Sequence, residues 1–91
     1  MIVRWTPRAV SDLVRLHDFL AEKNPRAAQA VVDALTSAPD KLKQFPRRGG
    51  RLEQFVDREV RRLIVGAYEI RYEINGETIR LLQIWHGRED R

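Results

Sequence analysis

The chain has 91 residues, no cysteine and a formal net charge of +4. A chain of this length can bury only one small core, so we expect a single domain over residues 1–91. With only His17 and His86 as candidate soft ligands, we predict no metal and no cofactor. The absence of cysteine and of long apolar stretches favours a soluble cytoplasmic protein rather than a secreted or membrane protein.

The positive charge is concentrated in one part of the chain. Residues 41–62 contain eight Lys and Arg against three Asp and Glu, an excess larger than that of the whole chain. A patch of this kind attracts nucleic acid or an acidic partner. A solvated loop that only keeps the protein soluble explains the composition equally well, so the charge selects no partner by itself.

The first half of the sequence predicts a strand and two helices. "IVRW" at residues 2–5 is typical of a short strand, and Thr6-Pro7 provides an N-cap and a first helical residue. Apolar residues then recur at helical spacing until a stop near Asn24, at Ala9, Val10, Leu13, Leu16 and Leu20. Asn24-Pro25 repeats the start signal, and the apolar phase continues to Phe45 across Pro39. We therefore expect a second helix that is kinked at Pro39, with a short C-terminal piece.

The second half predicts a loop and three strands. "FPRRGGRLEQFVD" has the glycines, proline and arginines of a surface loop. "VRRLIV", "YEIRYEI" and "TIRLLQIWH" are strands, joined by Gly66-Ala67, which suits a type II′ turn, and Asn75-Gly76, which suits type I′. The order is β-α-α-β-β-β. This is an α+β fold in which a helical hairpin packs on one face of a small, mainly antiparallel sheet.

Two-residue turns would fix the register of these strands. Tyr72 would lie opposite Arg61 and Ile79, and Arg71 opposite both Arg62 and Arg80. The predicted core face carries Leu63, Val65, Tyr68, Ile70, Tyr72, Ile74, Ile79, Leu81 and Trp85. The other face carries Arg62, Arg71, Arg80 and His86. Like charges across a ladder cost about 0.2 to 1 kcal/mol, so the row must be offset by nearby glutamates or by a bound anionic partner.

Four segments in order resemble one family. They are "VRWTPRAVSDLVRLHDFLAEKNPRAAQAVVDAL", "FPRRGGR", "VRRLIVGAYEIRYEI" and "IWHGRED", and together they cover nearly the whole chain. The chain resembles the RelE/ParE superfamily of bacterial toxins, and is closest to its ParE-like branch. The resemblance implies a toxin of a type II toxin-antitoxin pair in the bacterial cytoplasm. It also implies a cognate antitoxin whose C-terminal segment, extended or helical, covers the toxin.

The superfamily contains two activities of different class. RelE-like members cleave messenger RNA on the ribosome, whereas ParE-like members poison DNA gyrase and are not nucleases. RNA cleavage requires proton-transfer groups and cations beside the phosphate. In RelE-like nucleases a basic residue precedes the "Y-x-x-x-Y" strand, an arginine follows the last strand, and a tyrosine lies further on. Here Arg88 matches the arginine, Ile64 occupies the first basic position, and no tyrosine follows.

An alternative catalytic set can still be drawn from this sequence. His86 would be the base, with Arg62, Arg71, Arg80 and Arg88 around the phosphate, as some superfamily nucleases use histidine. A lone histidine at a strand end is more often a hydrogen-bonded surface residue than a catalyst. We therefore predict no catalytic residues and treat this set as the alternative.

The family resemblance also implies residues that bind partners. We expect contacts from Arg88, His86, Arg51, Arg61, Tyr68, Leu13 and Leu16. Arg88 is expected to matter most, because a guanidinium can bind a carboxylate through two hydrogen bonds. Arg51 belongs to a "P-R-R-G-G-R" segment that is one residue longer than in ParE-like proteins. For Arg61, a packing role with its stem over the Tyr72 ring is favoured over direct contact with a partner.

The function expected from the resemblance is inhibition of DNA gyrase by a ParE-like toxin that performs no chemistry of its own. The alternatives are a RelE-like messenger RNA endonuclease and a non-toxic protein that only binds antitoxin as a co-repressor. The expected partners are the cognate antitoxin and gyrase. Toxin and antitoxin are expected in equal numbers, with two of each as one arrangement, and nucleic acid only indirectly through these partners.

Overall fold

The computed structural model describes residues 1–89. Its elements are β1 (Ile2–Trp5), α1 (Pro7–Ala21), α2 (Pro25–Ser37), a 3-10 helix (Ala38–Lys43), β2 (Gly50–Arg51), β3 (Glu59–Val65), β4 (Tyr68–Asn75) and β5 (Thr78–His86). The described part forms a five-stranded sheet in the order β1-β5-β4-β3-β2, with β1 parallel to β5 and the other pairs antiparallel. The predicted α+β architecture is confirmed.

Both helices begin where the capping signals predict. The Thr6 hydroxyl accepts a hydrogen bond from the Ala9 amide at 3.2 Å, and the Asn24 side chain accepts one from the Ala27 amide at 3.1 Å. Thr6 also donates to the Leu81 carbonyl at 2.6 Å, which attaches the start of α1 to β5. α1 ends at Ala21, slightly before the predicted Asn24.

The second helical segment changes type at Pro39. The α-helix ends at Ser37, and residues Ala38–Lys43 continue as a 3-10 helix that buries Pro39 and Leu42. Proline has no amide hydrogen to donate to the carbonyl four residues earlier, so regular α-helix cannot pass through it unchanged. The predicted short C-terminal piece is present, but as a 3-10 helix and not as a kinked α-helix.

The core lies between the two helices and one face of the sheet. Its buried cluster is Ala9, Leu16, Leu35, Leu42, Ile70, Tyr72, Ile74, Ile79, Leu81 and Ile84. The other predicted members Leu63, Val65 and Tyr68 pack against this cluster while partly buried. Eight of the nine residues predicted for the core face therefore lie there, and Trp85 is the exception.

The segment predicted as a surface loop contains β2, which the sequence analysis missed. Gly50 pairs with Arg62 and Arg51 with Arg61. Tyr72 holds the segment before it, because its hydroxyl donates to the Pro46 carbonyl at 2.7 Å and accepts from the Gly49 amide at 2.9 Å. A two-residue strand fixed by a distant tyrosine leaves no periodic pattern in the sequence.

The β4–β5 register departs from the prediction in two ways. Asn75 pairs with Thr78, so the turn is Gly76-Glu77, and Gly76 rather than Asn75 takes positive φ, at 59°. A bulge follows, because Tyr72 pairs with Leu81 whereas Arg71 pairs with Gln83. Leu82 is thus an extra residue in β5. An extra residue of this kind reverses the face of every side chain beyond it.

Two sequence predictions are wrong because of the bulge, and a third is wrong because of the shifted β4–β5 turn. Trp85 pairs with Glu69 on the face away from the helices and does not face the core, where Ile84 takes its place. His86 pairs with Tyr68 on the helix side of the sheet, so it does not share a face with Arg62 and Arg71. The predicted row of three arginines is also wrong.

In that row, Arg71 lies opposite Arg62 on one side as predicted. On its other side it faces Gln83, and Arg80 lies opposite Glu73. Of the three arginines predicted to lie in a line, Arg62 and Arg71 therefore face each other and Arg80 does not join them.

Replacement of Gly49 tests the packing around Tyr72. A Cβ at Gly49 would lie 2.4 Å from the Arg62 carbonyl oxygen and 2.7 Å from the Tyr72 hydroxyl, whereas one at Gly50 would meet nothing within 4 Å. Gly49→Ala should lower the free energy of unfolding by about 1 to 3 kcal/mol. Gly50→Ala should change it by less than about 0.5 kcal/mol. Equal urea midpoints for the two variants would contradict this account.

Candidate functional site

The first candidate surface is a groove between α1 and the end of β5, which we call the α1–β5 groove. It has a volume of about 540 Å³. Its lining residues are Arg15, Leu16, Phe19, Leu20, Tyr68, His86, Arg88 and Glu89. Phe19 leaves 66% of its surface exposed. Because isolated small domains rarely leave a large ring beside an apolar groove, this surface is suited to a protein segment.

His86 forms part of the wall of the α1–β5 groove. Its ring meets the Tyr68 ring edge-on, with 5.1 Å between centroids. Its Nδ1 accepts a hydrogen bond from the Arg88 amide at 3.1 Å, which places the proton of the neutral ring on Nε2. Burial, and then the charge of Glu89, raise the pKa of the neighbouring Tyr68. The arrangement fixes the imidazole as a rigid surface beside an un-ionised phenol.

Two side chains of α1 hold the end of β5. The Asp12 carboxylate accepts a hydrogen bond from the Ile84 amide at 2.9 Å, and Arg15 donates to the Ile84 carbonyl at 3.4 Å. Arg15 also donates two hydrogen bonds to the Glu89 carboxylate, the longer of them at 3.3 Å. Hydrogen bonding to Glu89 is the main cause that raises the pKa of Arg15. β1 reaches only Leu81, so these contacts satisfy an edge that β1 leaves open. They also fix the turn that carries Arg88.

Four of the predicted partner-binding residues meet in this groove, namely Leu16, Tyr68, His86 and Arg88. Leu13 packs against the core instead, and Arg51 lies on β2 at the edge of the sheet.

The other predicted contact, Arg61, lies opposite Tyr72 with only 16% of its side chain exposed. It bonds Glu59 at 2.8 Å and the Gly49 carbonyl at 2.7 Å, which is a structural role. The hydrogen bond from Arg61, and then that from Arg47, lower the pKa of Glu59.

The sequence analysis missed Phe19, Leu20 and Arg15 as groove residues. Phe19 falls beside the apolar stripe of α1 and not on it, and an aromatic ring in that position was the available signal. Arg15 could not be identified, because its role depends on contact with Ile84 and Glu89, about seventy residues later in the chain.

The second candidate surface is the face of the sheet away from the helices, which we call the arginine face. It comprises Arg58, Arg62, Arg71 and Arg80 with the buried carboxylates of Glu69 and Glu73. Glu73 accepts from Arg58 at 2.7 and 3.0 Å and from Arg80 at 3.1 Å. The Arg58 hydrogen bond is the main cause that lowers the pKa of Glu73. Arg58 and Arg80 are thereby neutralised.

Arg71 has a different environment. Its guanidinium lies 4.9 Å from the Trp85 ring centroid and 5.6 Å from that of Phe55. Its Nε is buried and has no hydrogen-bond partner, and within residues 1–89 no carboxylate lies within 4.0 Å of it. The facing Arg62 approaches Glu69 only to 3.9 Å. Among the described residues, this face therefore has four guanidinium groups against two carboxylates and keeps an excess of positive charge.

In the part of the chain that the structure describes, no three His, Asp or Glu side chains are grouped to hold a metal ion. Over the same residues, neither helix has the length and apolar character that crossing a bilayer would require.

The lowered pKa of Glu73 predicts a pH dependence of stability. Its folded pKa lies below the ordinary value of 4.5, so the ion pairs stabilise the fold above about pH 4.5, and this contribution disappears as pH falls through the folded pKa. Glu73→Gln should cost about 1 to 3 kcal/mol at pH 7. It should also flatten the loss of stability on acidification. An unchanged acid slope in urea titrations from pH 7 to pH 3 would contradict this role.

Comparisons with known proteins agree with the fold. The family described as ParE toxin of type II toxin-antitoxin system, parDE, matches residues 3–91. A curated relative, Toxin RelE2 of Caulobacter vibrioides, is 36% identical over 85 residues and the match covers 93% of each chain.

Two solved structures have the same fold. A chain of the chromosomal ParDE system from P. aeruginosa superposes with a TM-score of 0.79 at 24% identity, covering 94% of this chain and 95% of that one. A chain of the toxin-antitoxin complex RelBE2 from Mycobacterium tuberculosis gives a TM-score of 0.60 at 29% identity, covering 93% of this chain and 95% of that one.

Proposed function

Because this chain belongs to the ParE toxin family of type II toxin-antitoxin systems, we propose that it is a toxin that binds DNA gyrase and stalls the religation of cleaved DNA. It performs no chemistry of its own in this proposal. The observation that carries the choice is the separation of His86 from the arginines. His86 lies on the helix side of the sheet, and Arg62 and Arg71 lie on the opposite side.

This separation disfavours the alternative catalytic set. A general base must lie within hydrogen-bond reach of the proton it removes, and phosphate clamps must hold the same phosphate. With the sheet between them, His86 and Arg71 cannot act on one scissile bond. The Nδ1 of His86 is also already occupied by the Arg88 amide. The alternative set of His86, Arg88, Arg62, Arg71 and Arg80 is therefore split between two surfaces.

A carboxylate on the arginine face is not a good substitute for the histidine. Glu73 is bonded by Arg58 and Arg80, and its lowered pKa makes it a weaker base than an ordinary glutamate. The same arginines are occupied by this carboxylate and are less available to a phosphate. Chemistry on this face would need the ion pairs to rearrange first.

The α1–β5 groove is the surface that we assign to the antitoxin. An apolar wall of Leu16, Phe19 and Leu20, with Arg15 and Arg88 at its rim, suits a helical or extended segment with apolar anchors and acidic side chains. The two solved relatives are named as toxin-antitoxin systems, which supports a partner of this kind. A stable complex should bury about 1,600 Å² or more in total.

The runner-up function is messenger RNA cleavage on the ribosome. It is favoured by the RelE name of the curated relative and by the excess positive charge around Arg62 and Arg71. In that case the cations of the arginine face would bind the message, and the proton-transfer group would have to come from that face or from the ribosome.

The activity can be assigned with His86→Gln. If the histidine were a general base, this change would slow the chemical step by about 10² to 10⁴. In a gyrase-binding toxin it removes one hydrogen bond worth about 0.5 to 1.5 kcal/mol. We expect wild type and His86→Gln both to inhibit gyrase supercoiling and to leave ribosome-bound message intact. Codon-specific cleavage by wild type that His86→Gln abolishes would overturn the proposal.

The antitoxin site can be tested with Phe19→Ala. Removing this exposed ring should weaken binding of the cognate antitoxin at least about tenfold, since aromatic anchors dominate such interfaces. Val14→Ala is the matched control, because Val14 is exposed on the same helix but does not line the groove. Both variants should keep the thermal midpoint of the free protein. Equal antitoxin affinity for Phe19→Ala and wild type in calorimetry would place the antitoxin elsewhere.

A further inference from the structure

Arg62 and Arg71 are an unfavourable pair in the isolated protein. They lie directly across the β3–β4 ladder, where like charges repel. The guanidinium of Arg71 is held between Phe55 and Trp85 with its Nε unpartnered, and 54% of the Arg62 side chain is exposed. Departures from local consistency of this kind occur where a protein meets a ligand or partner.

The neighbouring carboxylates neutralise this pair only in part. Glu73 lies next to Arg71 on the same face of β4, yet it is bonded by Arg58 and Arg80. Glu69, on the other side of Arg71, lies 3.9 Å from Arg62. One further acidic group beside the two guanidinium groups would remove the repulsion between them. The site is thus matched to a single external anion.

We propose that the arginine face, centred on Arg62 and Arg71, is the surface by which this protein binds a carboxylate side chain of its target protein. The inference rests on the proposed function, because it assigns the surface that contacts gyrase. The carboxylate is expected to lie beside the two guanidinium groups. The aromatic contacts keep Arg71 in place before binding, which reduces the entropy lost on association.

The surroundings of the pair favour a protein over a nucleic acid. Ile64, on the same strand and face as Arg62, is 60% exposed, and Val56 beside Phe55 is 83% exposed. Arginine surrounded by exposed apolar side chains is typical of protein interfaces, whereas nucleic-acid interfaces are more polar. The faces of Phe55 and Trp85 are directed at Arg71 and not available for base stacking. Glu69 and Glu73 would also repel phosphates.

The arginine face is separated from the α1–β5 groove by the sheet itself. His86 lines the groove, whereas Trp85, the preceding residue, contacts Arg71 on the other side. Binding of the target and binding of the antitoxin can therefore be measured independently. A change confined to the arginine face should affect the first and spare the second.

The test compares two doubly substituted proteins of equal net charge. Arg62→Gln/Arg71→Gln removes the pair, and Arg26→Gln/Lys41→Gln removes two exposed cations from the helices, Arg26 on α2 and Lys41 on the 3-10 helix. The first should weaken binding to purified gyrase at least about tenfold, as truncation of a buried charge pair does, and abolish growth arrest. The second should behave like wild type. Both should bind cognate antitoxin as wild type does, and loss of the repulsion should leave the thermal midpoint of the first unchanged or higher.

The assignment of this surface would be overturned if Arg62→Gln/Arg71→Gln kept growth arrest and gyrase binding. It would also be overturned if the control variant lost both to the same extent. If wild type cleaves ribosome-bound message and only the first variant fails to do so, the face binds RNA and the carboxylate proposal is wrong. If wild type neither binds gyrase nor cleaves message, gyrase is the wrong target. Loss of growth arrest in the first variant alone would then still support a protein docking surface.

Discussion

The extra residue in β5 determines which side chains this protein presents together. Before Leu82 the strand follows the alternation set by the β4–β5 turn, and beyond it the faces are exchanged. Ile84 then completes the core, Trp85 contacts Arg71, and His86 joins Tyr68 in the α1–β5 groove. Without the bulge, Trp85 would face the helices and His86 would face the arginines. Both candidate surfaces of the molecule therefore depend on one backbone irregularity.

The bulge is stabilised by contacts from α1 as well as by the sheet. Asp12 and Arg15 bond the amide and carbonyl of Ile84, two residues beyond the extra residue, and Thr6 bonds the carbonyl of Leu81 just before it. The ladder alone would allow β5 to slip by one residue, since Leu81 and Leu82 are equally apolar. Side chains that recognise the backbone of Ile84 select one register. Helix position and strand register are thus mutually dependent.

The elements of this fold could be predicted from local signals, whereas only part of the candidate site could be. Thr6-Pro7 and Asn24-Pro25 mark helix starts through interactions within one turn, and Gly66 marks a hairpin through its own backbone freedom. The position of His86 depends on a bulge whose only trace is the adjacent pair Leu81-Leu82. The break of alternation there is visible in the sequence.

That break does not reveal which residue is extra, because either leucine can fill the core position. The contacts of Asp12 and Arg15 with Ile84 decide it, and they join segments about seventy residues apart. The β2 strand was missed for the same kind of reason, since Tyr72 fixes its approach from 23 residues beyond Gly49. Local patterns carry no information about contacts of this range.

The placement of the two surfaces constrains how an antitoxin could neutralise this protein. A segment bound only in the α1–β5 groove would leave Arg62 and Arg71 accessible, because the sheet lies between them. Neutralisation would then require either a part of the antitoxin outside the groove that blocks the target sterically, or a conformational change transmitted through β5. A conformational change could be transmitted through β5 because His86 and Trp85 are adjacent in that strand and lie on opposite faces of the sheet. Any shift of the backbone at His86 moves Trp85, and the Trp85 ring is one of the two that hold the guanidinium of Arg71.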